Sequence, residues 1–346
     1  MAALPLSAVA ILAMNISTIP DQWCSAVGIY SQWDPIIKKT GTAFDLYWNS
    51  DWTVPIEQVV SSVPSEESAA QAWQQLDLFA ADQAHYPPGF YDNPQAFNQE
   101  LARIKPELLW GKAKLLVDAI PKKNGRPQTH PALDRTGTTL GHVIDQSKDI
   151  IHIQSAYLIL LEDGLKTIEQ AISRGVKFKL ATNSMASNNH LTAFVGYRKQ
   201  RHKMLTIGAE LYEMRPDAKS ERALFTVDQI AKHKTKFGLH AKTMVFDQKV
   251  TFVGSFNLDP RSVELNSEMG FLVESPSLAE AVITSIENDI APGNSWQVIM
   301  RADGKMAWIT TKNGRIITDT ETEPMTSKAR RIEADLLTVV PDEAQL

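Results

Sequence analysis

Residues 238–270 constrain the fold of this chain more than any other stretch, because their pattern predicts two strands joined by a tight turn. His240 and Lys242 are two residues apart, so in a strand both side chains project from the same face. The apolar residues around them alternate to the opposite face, and residues 250–253 predict the returning strand. Residues 247–249 then form the turn, which gives a β-hairpin with polar side chains near its open end.

Four polar groups are expected to meet at that open end. Ser255 and Asn257 repeat the two-residue spacing where the second strand ends, close to the predicted positions of His240 and Lys242. A His-x-Lys pair alone is typical of a solvated strand face, but two further groups at fixed spacing favour a site. Chemistry at a phosphate oxygen without a metal requires a nucleophile, a fixed cation and oriented hydrogen-bond donors. The sequence therefore predicts a phosphate-directed site.

This stretch resembles the HKD motif of the phospholipase D superfamily, written here as His240-x-Lys242-x4-Asp247. The longer run GSFNLDPRSVELNSEMG is similar to one branch, the bacterial cardiolipin synthases, particularly the C type. Members of that family form a covalent phosphohistidine and transfer a phosphatidyl group to an alcohol or to water. The resemblance implies a metal-free enzyme without a cofactor.

The resemblance also implies a role for each polar residue of the stretch. His240 would be the nucleophile or general acid, while Lys242 and Asn257 would hold the phosphate oxygens. Ser255 would add a hydrogen bond to the phosphate. Glu268 would accept a hydrogen bond from the other imidazole nitrogen and so fix the tautomer. Asp247, the last residue of the motif, would be chiefly structural and tie down the turn.

A second motif of this kind, which members of this branch carry, is not found in the chain. None of the other seven histidines has a lysine two residues later and an aspartate five beyond that. Residues 44–48, reading FDLYW, resemble the stretch that follows the first motif in C-type cardiolipin synthases. The chain is therefore expected to correspond to the C-terminal two-thirds of such an enzyme, from a truncated or frame-shifted reading frame. Phe44 and Trp48 are spaced for one helix face, which predicts core packing.

Strand and helix patterns alternate from residue 149 to residue 215, which predicts an α/β fold. With the resemblance, we expect a phospholipase D-like mixed, largely parallel sheet flanked by helices, followed by a small antiparallel meander and a last helix. The predicted divisions are an irregular segment (1–34), the remnant of a first half (35–125), a catalytic half (126–295) and the meander with its helix (296–346). The predicted strands cover residues 108–120, 149–160, 176–182 and 210–215, and the predicted helices 165–173, 191–207 and 326–340.

Tyr157 lies toward the end of the strand predicted over residues 149–160, and Asn183 follows the strand predicted over residues 176–182, where α/β sheets place their ligands. Both are therefore candidate pocket residues, although Asn183 is equally typical of a turn or a helix start. Residues 198–249 hold twelve Lys or Arg against six Asp or Glu. That surplus indicates either a solvated surface or one that faces anionic lipid headgroups.

Composition restricts the location and the partners. The net charge of −5 gives no general argument for nucleic acid, and the single cysteine, Cys24, excludes an intrachain disulfide. No apolar run approaches the roughly 18 residues of a membrane helix. Residues 4–14 are apolar but short and lack a preceding Lys or Arg, so no signal peptide is expected. We expect a bacterial protein that is cytoplasmic or peripheral to a membrane.

Three functions remain open at this point. The first is phosphatidyl transfer of the cardiolipin synthase type, on phosphatidylglycerol or a related anionic phospholipid at a membrane surface. The second is a homodimeric phosphodiesterase or nuclease, in which a second chain supplies another motif, although the charge makes nucleic acid an unexpected substrate. The third is a non-catalytic remnant. Whether the chain is an enzyme by itself is left open by the single motif.

Overall fold

The computed structural model describes residues 8–19, 22–31, 34–82, 108–119, 135–222, 236–312 and 315–338. The chain divides into two compact units, one formed by Met1–Ala43 with Leu109–Leu346 and the other by Phe44–Leu108. The four-part division stays a prediction. None of the helices in the described ranges is both long and apolar enough to cross a membrane.

The first unit is built on one thirteen-stranded sheet in the order β13-β12-β11-β6-β5-β4-β8-β9-β10-β3-β1-β2-β7. The strands are β1 (Ala8–Ile19), β2 (Gln22–Ser31), β3 (Leu109–Val117), β4 (Ile150–Ser155), β5 (Lys177–Asn183), β6 (Glu210–Met214), β7 (Lys236–Phe237), β8 (Lys242–Phe246), β9 (Val250–Gly254), β10 (Met269–Glu274), β11 (Ser295–Met300), β12 (Met306–Lys312) and β13 (Arg315–Thr320). The helices are α1 (Asp34–Trp48), α2 (Ile56–Val59), α3 (Glu66–Ala81), α4 (Thr136–Gln146), α5 (Glu162–Ser173), α6 (Leu191–Thr206), α7 (Lys219–Arg222), α8 (Pro260–Glu264), α9 (Pro276–Asp289) and α10 (Lys328–Leu337).

The α/β class is confirmed, but the sheet is mixed and the expectation of a largely parallel sheet is wrong. Among the strands of the described residues, the pairs β4 with β5, β5 with β6, and β2 with β7 are parallel. The remaining pairs are antiparallel, including β4 with β8 and β8 with β9. The helical crossovers α5 and α6 make their strands parallel, whereas the short turn that joins β8 to β9 requires antiparallel pairing. The prediction extended the pattern of the crossovers to the whole sheet.

Residues 8–19 and 22–31 also differ from the irregular segment predicted for residues 1–34. The structure places the antiparallel strands β1 and β2 there, and β1 pairs with β3 from Ala8 opposite Lys112 to Ile11 opposite Leu109. About a hundred residues of sequence separate these partners. Local periodicity carries no signal for such a pairing, because the partner strand supplies the hydrogen bonds that define the strand.

The alternation of strands and helices before the site follows the prediction closely. The elements β4, α5, β5, α6 and β6 all form within a few residues of the predicted limits, except that β4 ends at Ser155 rather than at residue 160. Gly175 and Gly208 follow the two helices with φ of 96° and 101°. Only glycine adopts this left-handed backbone without strain, so both glycines are suited to end their helices.

Helices cover both faces of the sheet, and β8 shows how the strands supply both cores. Met244 and Phe246 join the core beneath α4, α5, α6 and α10, whereas Val245 joins the core beneath α9. Helix α9 begins after Ser275, whose hydroxyl accepts a hydrogen bond from the Leu278 amide.

The C-terminal meander and helix are confirmed. The strands β11, β12 and β13 pair antiparallel in sequence order. Helix α10 packs on the body, because Arg330 donates hydrogen bonds to the carbonyls of Met185 (3.1 Å) and Asn188 (2.8 Å). Ile332 and Leu336 remain exposed on its outer face.

In the unit Phe44–Leu108, the predicted core packing of the aromatic pair is wrong. The rings of Phe44 and Trp48 stack on each other with centroids 5.6 Å apart, as their helical spacing requires. Both side chains nevertheless stay 60% and 63% exposed. Helix α3, capped by Ser65, buries no residue.

Salt bridges neutralise part of the basic surplus predicted for residues 198–249. Arg201 is fully buried and pairs with Glu213 (2.7 Å) and Glu323 (2.6 Å), which excludes it from any lipid-facing surface. Burial in this cluster raises the pKa of Glu323 to about 7, against the opposing effect of the Arg201 guanidinium. Lys232 and Lys234, which belong to the same basic surplus, lie outside the described residues.

Candidate active site at the open end of the β8–β9 hairpin

The predicted hairpin is present, and its geometry brings the polar residues to one end. The antiparallel register pairs Thr243 with Val253, and the turn residues Asp247 and Gln248 adopt left-handed backbone with φ of 48° and 57°. Two consecutive residues with positive φ are typical of the tight hairpin turns that match the twist of the strands. Lys242 starts β8 and Ser255 follows β9, so both lie at the open end, opposite the turn.

His240 is exposed between the buried residues Leu239 and Ala241, as the alternation predicts. The Lys242 ammonium donates a hydrogen bond of 2.8 Å to the His240 carbonyl, which fixes the cation close to the ring. Partial loss of solvent around the imidazole, and then the Lys242 charge, lower the pKa of His240 below its ordinary value. A lowered pKa keeps the ring neutral at neutral pH, the form in which an imidazole nitrogen is nucleophilic.

Asn183 holds the segment that leads to His240. Its side-chain amide donates to the Leu239 carbonyl and accepts from the Leu239 amide, both at 2.8 Å, and also donates to the Ala156 carbonyl at 3.1 Å. Asn183 is 3% exposed, and its side chain holds the backbone next to His240. The predicted pocket role of Asn183 stays a prediction.

Ser255 and Glu268 form a pair at the same end of the hairpin. The Ser255 hydroxyl donates to the Glu268 carboxylate and accepts from the Met269 amide at 3.0 Å. The Asn266 amide donates to the other Glu268 oxygen at 3.1 Å. Both carboxylate oxygens are thus occupied, and no hydrogen bond joins Glu268 to the His240 ring. The hydrogen bond expected between His240 and Glu268 is replaced by the one from Ser255. Because β9 and β10 pair directly, the Ser255 hydroxyl lies next to the Glu268 carboxylate.

Asp118 fastens Glu268 from the neighbouring strand, a contact that the sequence analysis missed. The backbone amide of Asp118 donates to the Glu268 carbonyl at 2.8 Å, and its carboxylate accepts from the Glu268 amide at 3.4 Å. The same carboxylate accepts from the Thr136 amide at 2.9 Å, at the start of α4. A single acid after a strand carries no sequence signal for such a role.

Asn257 and Asp259 complete the floor of this region. Asn257 is 8% exposed, and its side-chain oxygen has no hydrogen-bond partner, which leaves an unused polar group in the site. Burial raises the pKa of Asp259, against its hydrogen bond from Ser262, and the Glu268 carboxylate adds to the increase. Lys242 opposes it, so these three charges lie within electrostatic reach of one another. Asp259 was not predicted as a site residue.

Tyr157 lies two residues after β4, the strand that pairs with β8 through Ser155 and Lys242. Its hydroxyl donates to Asn189 at 3.3 Å, and its ring meets the His190 ring edge-on with centroids 5.7 Å apart. Tyr157 is half-buried beside exposed neighbours, which is compatible with the predicted pocket role. That role stays a prediction.

Asp247 lies at the far end of the hairpin. Its carboxylate accepts from the backbone amides of Lys148 (2.9 Å), Asp149 (2.9 Å) and Ile150 (3.2 Å), where β4 begins. These bonds tie the turn to the neighbouring strand and leave Asp247 remote from the open end. Among the described residues, no group of His, Cys, Asp and Glu is arranged to hold a metal ion.

Residues 140–290, which contain every one of these polar groups except Asp118 and Thr136, match the family described as "Cardiolipin synthase, PLD-like domain". The chain carries a phospholipase D-like domain. Its predicted place in the phospholipase D superfamily, close to cardiolipin synthase, is thereby confirmed. Cardiolipin synthase C of Escherichia coli is 30% identical over 312 residues, which cover 89% of this chain and 63% of that protein.

Two further proteins are similar to this chain. A protein of Helicobacter pylori is 26% identical over 89% of this chain and 58% of its own length. The crystal structure of Nuc, a phospholipase D family member from Salmonella typhimurium, covers 53% of this chain and 97% of Nuc at 20% identity, with a TM-score of 0.36. The chain spans about six-tenths of the length of the curated relatives that match most of it (63% and 58%).

Proposed function

We propose that this chain acts in phosphatidyl transfer of the cardiolipin synthase type, through a phosphohistidine on His240. The observation that supports it is an exposed imidazole with a lowered pKa, held two residues from the Lys242 ammonium at the end of a hairpin. The proposed substrate is an anionic phospholipid of the phosphatidylglycerol type, and the proposed location is the membrane surface. The role would be in phospholipid biosynthesis, since the family to which the domain is similar acts on phospholipid phosphodiesters.

In the proposed reaction, a neutral ring nitrogen of His240 attacks phosphorus and the bond from phosphorus to the leaving alcohol oxygen breaks. Lys242 and the Asn257 amide stabilise the negative charge on the phosphate oxygens in the transition state. The leaving oxygen takes a proton from a general acid, which in two-motif relatives is the histidine of the other motif. An incoming alcohol then gives its proton to the same group, now a base, and attacks phosphorus while the phosphorus–nitrogen bond breaks, which regenerates His240 and gives the new diester.

The proposal is tested by mixing purified chain with vesicles of labelled phosphatidylglycerol and trapping the acid-labile phosphohistidine. We expect label on the native chain, none on His240→Ala, and normal label on His202→Ala, which removes an exposed histidine of α6. Absence of label from the native chain contradicts the proposal and favours the non-catalytic remnant. Sedimentation under the same conditions separates a monomer from a dimer in which a second chain supplies the acid.

The nuclease alternative is addressed by incubating the same preparation with single- and double-stranded DNA. We expect no cleavage, because the chain carries a net charge of −5 and a polyanionic substrate needs a basic surface. Cleavage that disappears in His240→Ala, without label from lipid, would replace phosphatidyl transfer by phosphodiester hydrolysis of nucleic acid.

A further inference from the structure

Two exposed apolar side chains lie directly beside the candidate site. Leu265, on the connection from β9 to β10, is 46% exposed, and Met269, the first residue of β10, is 43% exposed. Met269 is joined to the site by its backbone amide, which donates to the Ser255 hydroxyl at 3.0 Å. Leu265 precedes Asn266, whose amide donates to Glu268 at 3.1 Å. The position of both side chains is therefore fixed by the same hydrogen bonds that fix the site.

Single exposed apolar residues are ordinary on protein surfaces, but a pair at the margin of a reactive site needs an occupant. A cation accompanies the pair, since Arg261 is exposed one helical turn before Leu265, whose amide donates to the Arg261 carbonyl at 2.8 Å. Of the two nearby glutamates, Glu268 is buried and Glu264 is half-buried. Apolar side chains next to an exposed cation fit the boundary between headgroups and acyl chains of an anionic bilayer.

We propose that Leu265, Met269 and Arg261 form a lipid-contact edge, through which the chain docks on an anionic phospholipid bilayer beside His240. This inference rests on the proposed function and names the surface that would present its substrate. A second copy of the chain is a poorer occupant, because a stable interface buries about 800 Å² per partner and two aliphatic side chains supply a small part of that. Nucleic acid offers no acyl region for Leu265 and Met269.

The edge is tested by co-sedimentation with vesicles of phosphatidylglycerol and phosphatidylcholine in equal parts. The double variant Leu265→Ser with Met269→Ser removes the apolar contact, and we expect about a tenfold weaker partition onto the vesicles. The matched control is Ile316→Ser with Ile332→Ser, which removes two side chains of 57% and 59% exposure far along the chain. The control is expected to bind as the native chain does.

A second variant keeps the apolar volume. Leu265→Met with Met269→Leu is expected to bind the vesicles normally, whereas a loss of binding there, with an unchanged urea midpoint, overturns an apolar contact. Vesicles of phosphatidylcholine alone are expected to bind less native chain, because the Arg261 contribution depends on lipid charge. Native-like binding by the serine double variant also overturns the inference.

Failure of the edge and failure of the proposed function have different signatures. All binding measurements are repeated in His240→Ala, which cannot form a phosphohistidine and is expected to bind as tightly as the native chain. Loss of label with intact, edge-dependent binding removes the transfer chemistry and leaves the edge. The mass of the protein assembly is also measured without vesicles. If the serine double variant changes that mass, the edge is a contact between copies of the chain, and lipid docking is overturned.

Discussion

Replacing Asn183 by alanine is expected to weaken the fold and displace the site together. The change removes the bonds to both backbone groups of Leu239 (2.8 Å each) and to the Ala156 carbonyl (3.1 Å). Leu239 is 2% exposed, so its amide and its carbonyl lose their partner where water has little access, whereas the Ala156 carbonyl keeps the Thr182 hydroxyl at 3.4 Å. At about 1–3 kcal/mol for each of the two unsatisfied groups, the expected loss is about 2–6 kcal/mol, reduced if a water enters the space.

The loss is measured as the change in the free energy of unfolding from urea titrations followed by circular dichroism. The control is Ser187→Ala, which removes a donor to the same Asn183 oxygen (3.2 Å) but leaves the Leu239 contacts, and is expected to cost about 1 kcal/mol. Because Leu239 precedes His240, phosphohistidine formation in Asn183→Ala should fall even under conditions where the variant is fully folded. A loss below about 0.5 kcal/mol, with normal labelling, would refute the positioning role.

Three further predictions concern charged groups. Asp247→Ala should lower the free energy of unfolding by about 2–3 kcal/mol in urea titrations, because three backbone amides lose their acceptor. Asp247→Asn should cost about half as much, since asparagine keeps one acceptor oxygen and tolerates the left-handed backbone. Equal losses in the two variants would contradict this. The pKa of Glu323 is raised to about 7 in the folded protein. Between the pKa of the unfolded chain and pH 7 the folded state therefore binds the extra proton, and stability falls as pH rises. Glu323→Gln should make the melting temperature less dependent on pH between pH 5 and 8, and an unchanged dependence would count against this assignment. Lys242→Met should raise the pKa of His240 in an NMR titration of the imidazole, since a repelling charge is removed, and a constant or lower pKa would contradict the assignment.

The sequence predicts local geometry well in this protein. The β8–β9 hairpin follows from the alternation around His240 and from a turn of three residues, both of which are short-range properties. The positions of Gly175 and Gly208 likewise mark helix ends because the preference of glycine for positive φ is intrinsic to the residue. The open end of the hairpin, and hence the neighbourhood of His240, Lys242 and Ser255, was therefore predictable from the printed sequence.

The hydrogen-bond partners within the site were not predictable in the same way. Asn183 and Leu239 are 56 residues apart, and Asp118 and Glu268 are 150 residues apart, so their contacts depend on the order and register of the strands. The position of Asn183 at a strand end was predicted correctly. Local pattern does not indicate whether its amide faces a ligand or the backbone of another segment. The same reason accounts for Glu268, whose carboxylate is bonded to Ser255 because β10 lies next to β9.

Lys242 and Asp247 stand at opposite ends of β8, a strand of five residues that spans about 16 Å at about 3.3 Å per residue. The four residues between Lys242 and Asp247 therefore fix the distance from the open end of the hairpin to the point where β4 starts. Deleting one residue of that interval would turn the remaining side chains to the wrong face or pull the carboxylate off its three amides. The motif consequently combines two reactive residues, His240 and Lys242, with one structural residue, Asp247, and a substitution can disturb either part without the other.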